Sequence, residues 1–228
     1  MKRLFLIFIC IPGVWFCTFA QNSIGHGHIG LYTMTVGEIK LTVITDGHLP
    51  VNPVQAEFAQ RIDSTKVAKT LENHFSSPVE VDLAMNVLLL EWGDKRVLID
   101  TGAGGIFGND SGHLGENLAY AGLSPKDVTD VVLSHAHPDH IGGLTDKRSG
   151  ELLYPNADVW ISKEECTFWL SDIPDFSKST MTDKTHMQML VQVARRNINA
   201  AKNRLRMYND GDTLLGCLQT VSYTHLRA

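Results

Sequence analysis

A layered α/β sandwich is the fold this sequence predicts, and three features predict it. Apolar runs of strand length alternate with helix-patterned segments between Leu31 and Val221, an order that lays helices against a sheet. Two of those runs, residues 84–92 and 95–99, flank Gly93-Asp94 in the manner of a hairpin. A third, residues 128–134, leads directly into the densest polar cluster of the chain, His135-Ala136-His137-Pro138-Asp139-His140.

The first residues stand apart. Lys2-Arg3 precede an apolar run from Leu4 to Phe19, with Thr18 and Ala20 as the small residues ahead of a cut before Gln21. Residues 1–20 therefore read as a secretory signal peptide. The run is short and interrupted by Pro12-Gly13, which weighs against a membrane anchor. The expectation is an exported protein, periplasmic or secreted, without stable membrane insertion after cleavage. Residues 21–29 read as a flexible leader, and 30–221 as the folded domain.

Along that domain, residues 31–36 and 39–45 are expected to be strands around Gly37, with Asp46-Gly47-His48 as a turn and 50–59 irregular. Ser64 is placed to cap a helix reaching Phe75, with Val67, Leu71 and Phe75 on one face. After the hairpin, residues 114–121 form a short helix closed by Gly122, and Ser124-Pro125-Lys126-Asp127 opens the next turn. Residues 157–161 follow as a strand, and Ser162-Lys163-Glu164-Glu165 is a capping box for a helix toward Trp169. Met187, Leu190, Val191, Ala194, Ile198, Ala201 and Leu205 trace one face of a long helix. Asn209-Asp210-Gly211-Asp212 is then a turn, and residues 213–221 begin a strand.

With 228 residues the chain is long enough for one sizeable core. A net charge of −5, or −7 once Lys2 and Arg3 leave with the signal, gives no reason to expect nucleic acid or an anionic membrane as partner. Signal removal leaves Cys166 and Cys217; a disulfide and two separate thiols both fit an exported protein. Neither cysteine has metal-ligand spacing.

The chemistry concentrates in the histidine cluster. Side chains two apart on a strand point the same way, so His135 and His137 would face one cavity. Pro138 holds His137 extended and ends the strand there. Asp139 and His140 then turn back toward the same space, and Gly142-Gly143 let the backbone pass close beneath. Neutral imidazole and carboxylate are the usual zinc ligands, and catalytic zinc keeps one position open for water. Asp100, in Asp100-Thr101-Gly102 at a strand end, is expected behind these groups, orienting a ligand by hydrogen bond. Asp-Thr-Gly is also an aspartic protease pattern, but that site needs two carboxylates sharing one proton, and Asp-Thr-Gly occurs once in the chain. Gly102, Gly104 and Gly108 lack the helix that a dinucleotide loop requires.

His-x-His-x-Asp-His followed by Ile141-Gly142-Gly143-Leu144 resembles the signature of the metallo-β-lactamase-fold hydrolases. The stretch from Asn86 to Asp100-Thr101-Gly102 resembles the hairpin that precedes the metal motif in that superfamily. The loop Ala103-Gly104-Gly105-Ile106-Phe107-Gly108, with Gly115-Glu116-Asn117-Leu118, is similar to the branch containing methyl parathion hydrolase and related lactonases. The resemblance implies a four-layer αββα sandwich and two divalent metal ions, of zinc type. His135 and His137 would bind the first, and Asp139 and His140 the second. It implies a metal-held hydroxide attacking a small-molecule lactone, organophosphate ester or β-lactam, with Asp139 also catalytic by orienting the nucleophile or passing a proton. The rival reading is an iron-dependent oxidoreductase or persulfide-handling protein on the same fold, and a third is an inactive metal-binding fragment. The family's third metal histidine, in a Gly-His-Thr-Pro-Gly-His segment, its bridging aspartate and its final histidine find no match. Residues 222–228 read as a non-native tail, where His225 lacks the glycines and proline of the family's loop. The expectation is a chain incomplete in its C-terminal half and inactive as it stands.

Overall fold

Alternation of apolar side chains builds one large sheet whose strands lie side by side in sequence order. The computed structural model describes residues 30–179, 181 and 183–221; the expected signal, leader and tail lie outside them. The strands are β1 (Leu31–Val36), β2 (Ile39–Val51), β3 (Val81–Trp92), β4 (Lys95–Ile99), β5 (Asp130–Val132), β6 (Asp158–Ser162) and β7 (Leu205–Tyr208). From β1 to β4 neighbours are antiparallel; from β4 to β7 they are parallel. Hairpins at Gly37 (φ 58°) and Gly93 (φ 53°) make the antiparallel half, in a backbone region that glycine enters without strain.

Parallel neighbours need crossovers, and these supply the helices. Between β4 and β5 lies α3 (Leu114–Tyr120); between β5 and β6, α4 (Pro138–Ile141); between β6 and β7, α5 (Lys163–Leu170) and α6 (Lys184–Ala201). One sheet face, through Ile44, Leu89, Leu98, Val131 and Val159, packs on Leu118, Trp169, Ala194 and Ile198 of these helices. Each fully buried aliphatic side chain here contributes about 1.5–3 kcal/mol. The opposite face, through Leu90, Val97 and Val132, meets Tyr208 and a short hairpin of β8 (Thr213–Leu214) and β9 (Leu218–Gln219). The layers are thus helices, a seven-stranded sheet and a two-stranded sheet. Strand β5 is buried throughout, as a central parallel strand must be.

Several local expectations change. Asp46 is not in a turn: β2 runs through it to Val51 with a bulge between Thr45 and Gly47, and Asp46 is completely buried. Residues 54–58 form a helix, α1 (Val54–Phe58). The next, α2 (Ser64–Asn73), is capped by Asp63, whose carboxylate accepts from Thr65 and Lys66 N–H; Ser64 is its first residue. Val67 and Leu71 are half-buried and Phe75 is fully exposed at φ 59°, so the predicted apolar face is not covered. The strand before the histidines stops at Val132. The long helix ends at Ala201, and Leu205 opens β7 instead. Residues 213–221 hold the β8–β9 hairpin rather than one strand. Cys166 is buried and Cys217 exposed, both as free thiols. Among the described residues no helix is long and apolar enough to cross a membrane.

Candidate metal centre

The histidine cluster sits where the parallel half of the sheet ends. After β5 the chain leaves the sheet, bends at Ser134 and reaches His137 (φ −71°, ψ 156°), and Pro138 then starts α4. Pro at the first helical position loses no bond, because that N–H would be free anyway. His135 and His137 are therefore on a loop rather than on the strand, yet their side chains still come together. Their rings stand 4.7 Å apart, edge to face, and His140 brings its ring within 3.9 Å of His135.

A glycine-rich loop presses on α4 from below. Thr101 N–H and its hydroxyl both donate to the His140 carbonyl, at 2.7 and 2.9 Å. A Cβ on Gly143 would lie 2.1 Å from the Thr101 carbonyl oxygen, and one on Gly142 2.5 Å from that of Ala103. Both glycines are required by contact, as their expected role demanded. Asp100, at φ 66°, aims its carboxylate into the cluster: Oδ1 accepts from Ser134 N–H at 2.7 Å, and Oδ2 meets the Ser134 hydroxyl and His140 Nδ1, each at 2.8 Å. Asp139 Oδ2 lies 3.1 Å from His140 Nε2.

Charge divides the histidines into two kinds. Burial, reinforced by the neighbouring His140 and His137, pushes His135 down to about 4. Burial also lowers His137, against the pull of Asp139. Both imidazoles are thus neutral, with lone pairs to offer. For His140 burial again works against charge, but the bonds to Asp100 and Asp139 outweigh it and push it up to about 9. Asp139 is desolvated too, yet its bond to His140 holds it below the usual carboxylate range.

Three side chains brace this cluster without having been singled out for it. Asp46, reached from β2, accepts from Ala103 and Gly112 N–H through Oδ2 and from Leu114 N–H through Oδ1, at 2.8–3.1 Å. Burial raises its pKa, and the three amides oppose that. Glu165 does not complete the expected capping box. Ser162 caps α5 by accepting Glu165 N–H, but the Glu165 carboxylate turns to Ala136 N–H and to the indole of Trp169. Tyr208 donates its buried hydroxyl to the Leu133 carbonyl at 2.9 Å. An Asp-Gly pair between alternating strands reads as a turn, which hid Asp46; a Ser-x-x-Glu start explained Glu165 too readily.

The donor set suits a divalent cation: two neutral imidazoles, a third imidazole oriented by a carboxylate, and a further carboxylate beside it. Among the described residues no three His, Cys, Asp or Glu side chains are grouped as a finished metal cage. His140 and Asp139 are bonded to each other, and His140 also to Asp100, so one imidazole stands between two carboxylates.

The family profile described as Metallo-beta-lactamase superfamily matches residues 82–146, from β3 through the histidine motif. The solved structure of AidC, a dizinc quorum-quenching lactonase in complex with a homoserine product, shares 32% identity and a TM-score of 0.73, covering 82% of this chain and 63% of that one. The chain is a member of the metallo-beta-lactamase fold. AbOPH, described as a hydrolase in the beta lactamase superfamily, agrees at 27% identity and a TM-score of 0.70, over 84% of this chain and 65% of its own. Metallo-beta-lactamase domain-containing protein 1 of Mus musculus is 32% identical over 146 residues, 62% of this chain and 51% of the mouse protein. The chain thus spans about half the length of that relative and under two thirds of either structure. These neighbours share the metallo-beta-lactamase fold with this chain.

Proposed function

We propose that this protein is a dizinc-type hydrolase that opens an ester-like bond, with a lactone as the first substrate class to test. The observation that carries the reading is the gathering of donors at one end of the sheet: the His135 ring stands 4.7 Å from His137 and 3.9 Å from His140, and His140 is bonded on either side to Asp100 and Asp139. His135 and His137 would hold one cation; Asp139 and His140 would hold the second, with Asp100 keeping His140 turned through Nδ1. Bound there, divalent metal would lower the pKa of its water toward neutrality and polarise a carbonyl. Ligation would free Asp139 Oδ2 from His140 Nε2, leaving a carboxylate able to hold and pass on a proton. His135 and His137 give the first cation two protein ligands, and catalytic zinc sites use three, so a further donor belongs to the full set. Similarity to AidC, whose description names a dizinc centre and a homoserine product, supports the lactone choice. The same reading has the protein exported and matured after Ala20.

Elemental analysis and turnover of an N-acyl-homoserine lactone test the proposal together. The whole protein is expected to retain zinc, manganese or cobalt and to open the lactone; His137→Ala should lose most of the metal and nearly all turnover. Iron with a visible absorption band would transfer the site to redox chemistry. Undiminished metal and turnover in His137→Ala would refute the ligand assignment.

A further inference from the structure

Glu165 lies on α5, outside the histidine motif, yet its carboxylate is spent on the motif's backbone. Its Oε2 accepts from Ala136 N–H at 2.9 Å, a contact across 29 residues of sequence, and from Trp169 Nε1–H at 2.7 Å. Trp169 in turn sets its ring edge-on to His137, with centroids 5.7 Å apart. Ala136 is fully buried and Trp169 is 3% exposed, so neither N–H has water as an alternative partner. One oxygen therefore satisfies two buried donors, by charge-assisted bonds of the stronger kind.

An ordinary capping role does not account for this. Ser162 already caps α5 through Glu165 N–H at 3.1 Å, and a capping box would send the carboxylate back to the Ser162 amide. Instead the carboxylate reaches the amide that separates His135 from His137. From the other side, Asp100 holds Ser134 N–H, and the His137 carbonyl accepts from the His140 and Ile141 amides of α4. The backbone that carries the two histidines is thus gripped at Ser134, Ala136 and His137.

We propose that Glu165 is a positioning residue of the metal centre, holding the Ala136 amide and the Trp169 indole so that His135 and His137 present their rings as a pair. The proposal rests on the metal-hydrolase reading for its purpose, but the grip itself can be tested without metal. Zinc affinity, measured by competition with a chromophoric chelator, should fall about 10–100-fold in Glu165→Ala, the range for loss of a group that orients a ligand. Glu165→Gln keeps a carbonyl oxygen that can accept both bonds and should stay within about threefold of the parent. In the zinc-free protein, hydrogen exchange at the Ala136 amide should be slow in the parent and Glu165→Gln and fast in Glu165→Ala.

A merely structural residue would lower the melting temperature while leaving zinc affinity unchanged. That result in Glu165→Ala would overturn the proposal, as would a Gln variant as weak as the Ala variant. If Glu165→Ala does not fold, Trp169→Phe decides: it removes one bond to Oε2 and keeps an aromatic edge, so an unaltered zinc affinity and unaltered Ala136 exchange would overturn the grip. A parent that binds no zinc would defeat the hydrolase reading, while the exchange data would still decide for or against the grip.

Discussion

Two long connections leave the sheet on the way to the metal centre, and they are built on opposite principles. Residues 52–80, between β2 and β3, hold α1 and α2 with Val54 as their one buried helical residue, and leave Phe58, Ile62, Phe75 and Val79 exposed. Residues 100–129, between β4 and β5, are richer in glycine and no richer in large apolar groups. Yet Thr101, Ala103, Ser111, Leu114 and Leu118 are all buried. The difference is where the backbone amides go. In the second connection three of them end on Asp46 and two more interactions end on the His140 carbonyl; in the first, α2 is satisfied within itself and by Asp63. Apolar content alone does not order a loop; a buried acceptor can.

The contrast can be broken hardest at the contact between the second connection and the motif. Gly143→Ala drives a methyl against the Thr101 carbonyl, which is backbone and cannot step aside. We expect a loss of about 3–5 kcal/mol in denaturant unfolding, at the upper end for single substitutions. Asp46→Ala comes next. It strands the buried amides of Ala103 and Leu114 and the more accessible one of Gly112, and at about 1–3 kcal/mol for each buried donor left unsatisfied a loss of about 3 kcal/mol is expected. A loss below about 1 kcal/mol would mean that the loop holds itself.

The pH dependence of the metal-free protein should carry the mark of the ordered side. His140 is raised in the folded state, so its stabilisation is complete below its unfolded value of about 6.5 and is lost as pH rises through about 9. His135 is depressed, so its folded state is favoured by neutrality, and stability falls as pH drops from about 6.5 through about 4. These two groups together predict a maximum near pH 6.5, and thermal melts across pH 4–9 would show it. Zinc uptake at pH 7.5 should also release a proton from His140, readable by calorimetry in buffers of different ionisation enthalpy. The smallest effect belongs to the first connection. Phe75 adopts a left-handed conformation with its ring in water, so Phe75→Gly should stabilise the protein by about 0.5 kcal/mol. A destabilisation beyond about 1 kcal/mol would show that the exposed ring has a partner.

The sequence disclosed what was local. Four potential ligands in six residues need no knowledge of the fold, and the two-residue spacing of His135 and His137 put them on one side even though the strand stops before them. Asp100, expected behind the cluster from its place at a strand end, lies with its carboxylate 2.8 Å from His140 Nδ1. What stayed hidden was long-range. Glu165 reaches Ala136 across 29 residues, Asp46 reaches Leu114 across 68, and Tyr208 reaches Leu133 across 75. No periodicity in one chain encodes such pairs. The amphipathic stripe of α2 failed in the opposite way: its pattern was read correctly, but no neighbouring element covers it.

The change from antiparallel to parallel pairing at β4 also has a consequence in time. Strands β1 to β4 follow one another closely, with one longer loop, and can pair as hairpins while little else exists. Strands β5, β6 and β7 each wait for a helical crossover, and long closures slow folding because their entropy is lost before their contacts form. The histidine motif hangs from β5, is gripped by Glu165 after β6, and has its leading residue Leu133 tied by Tyr208 at the end of β7. During synthesis the motif therefore emerges well before the residues that hold it. The shape of the cluster is settled only when β7 joins the sheet and Tyr208 reaches the Leu133 carbonyl.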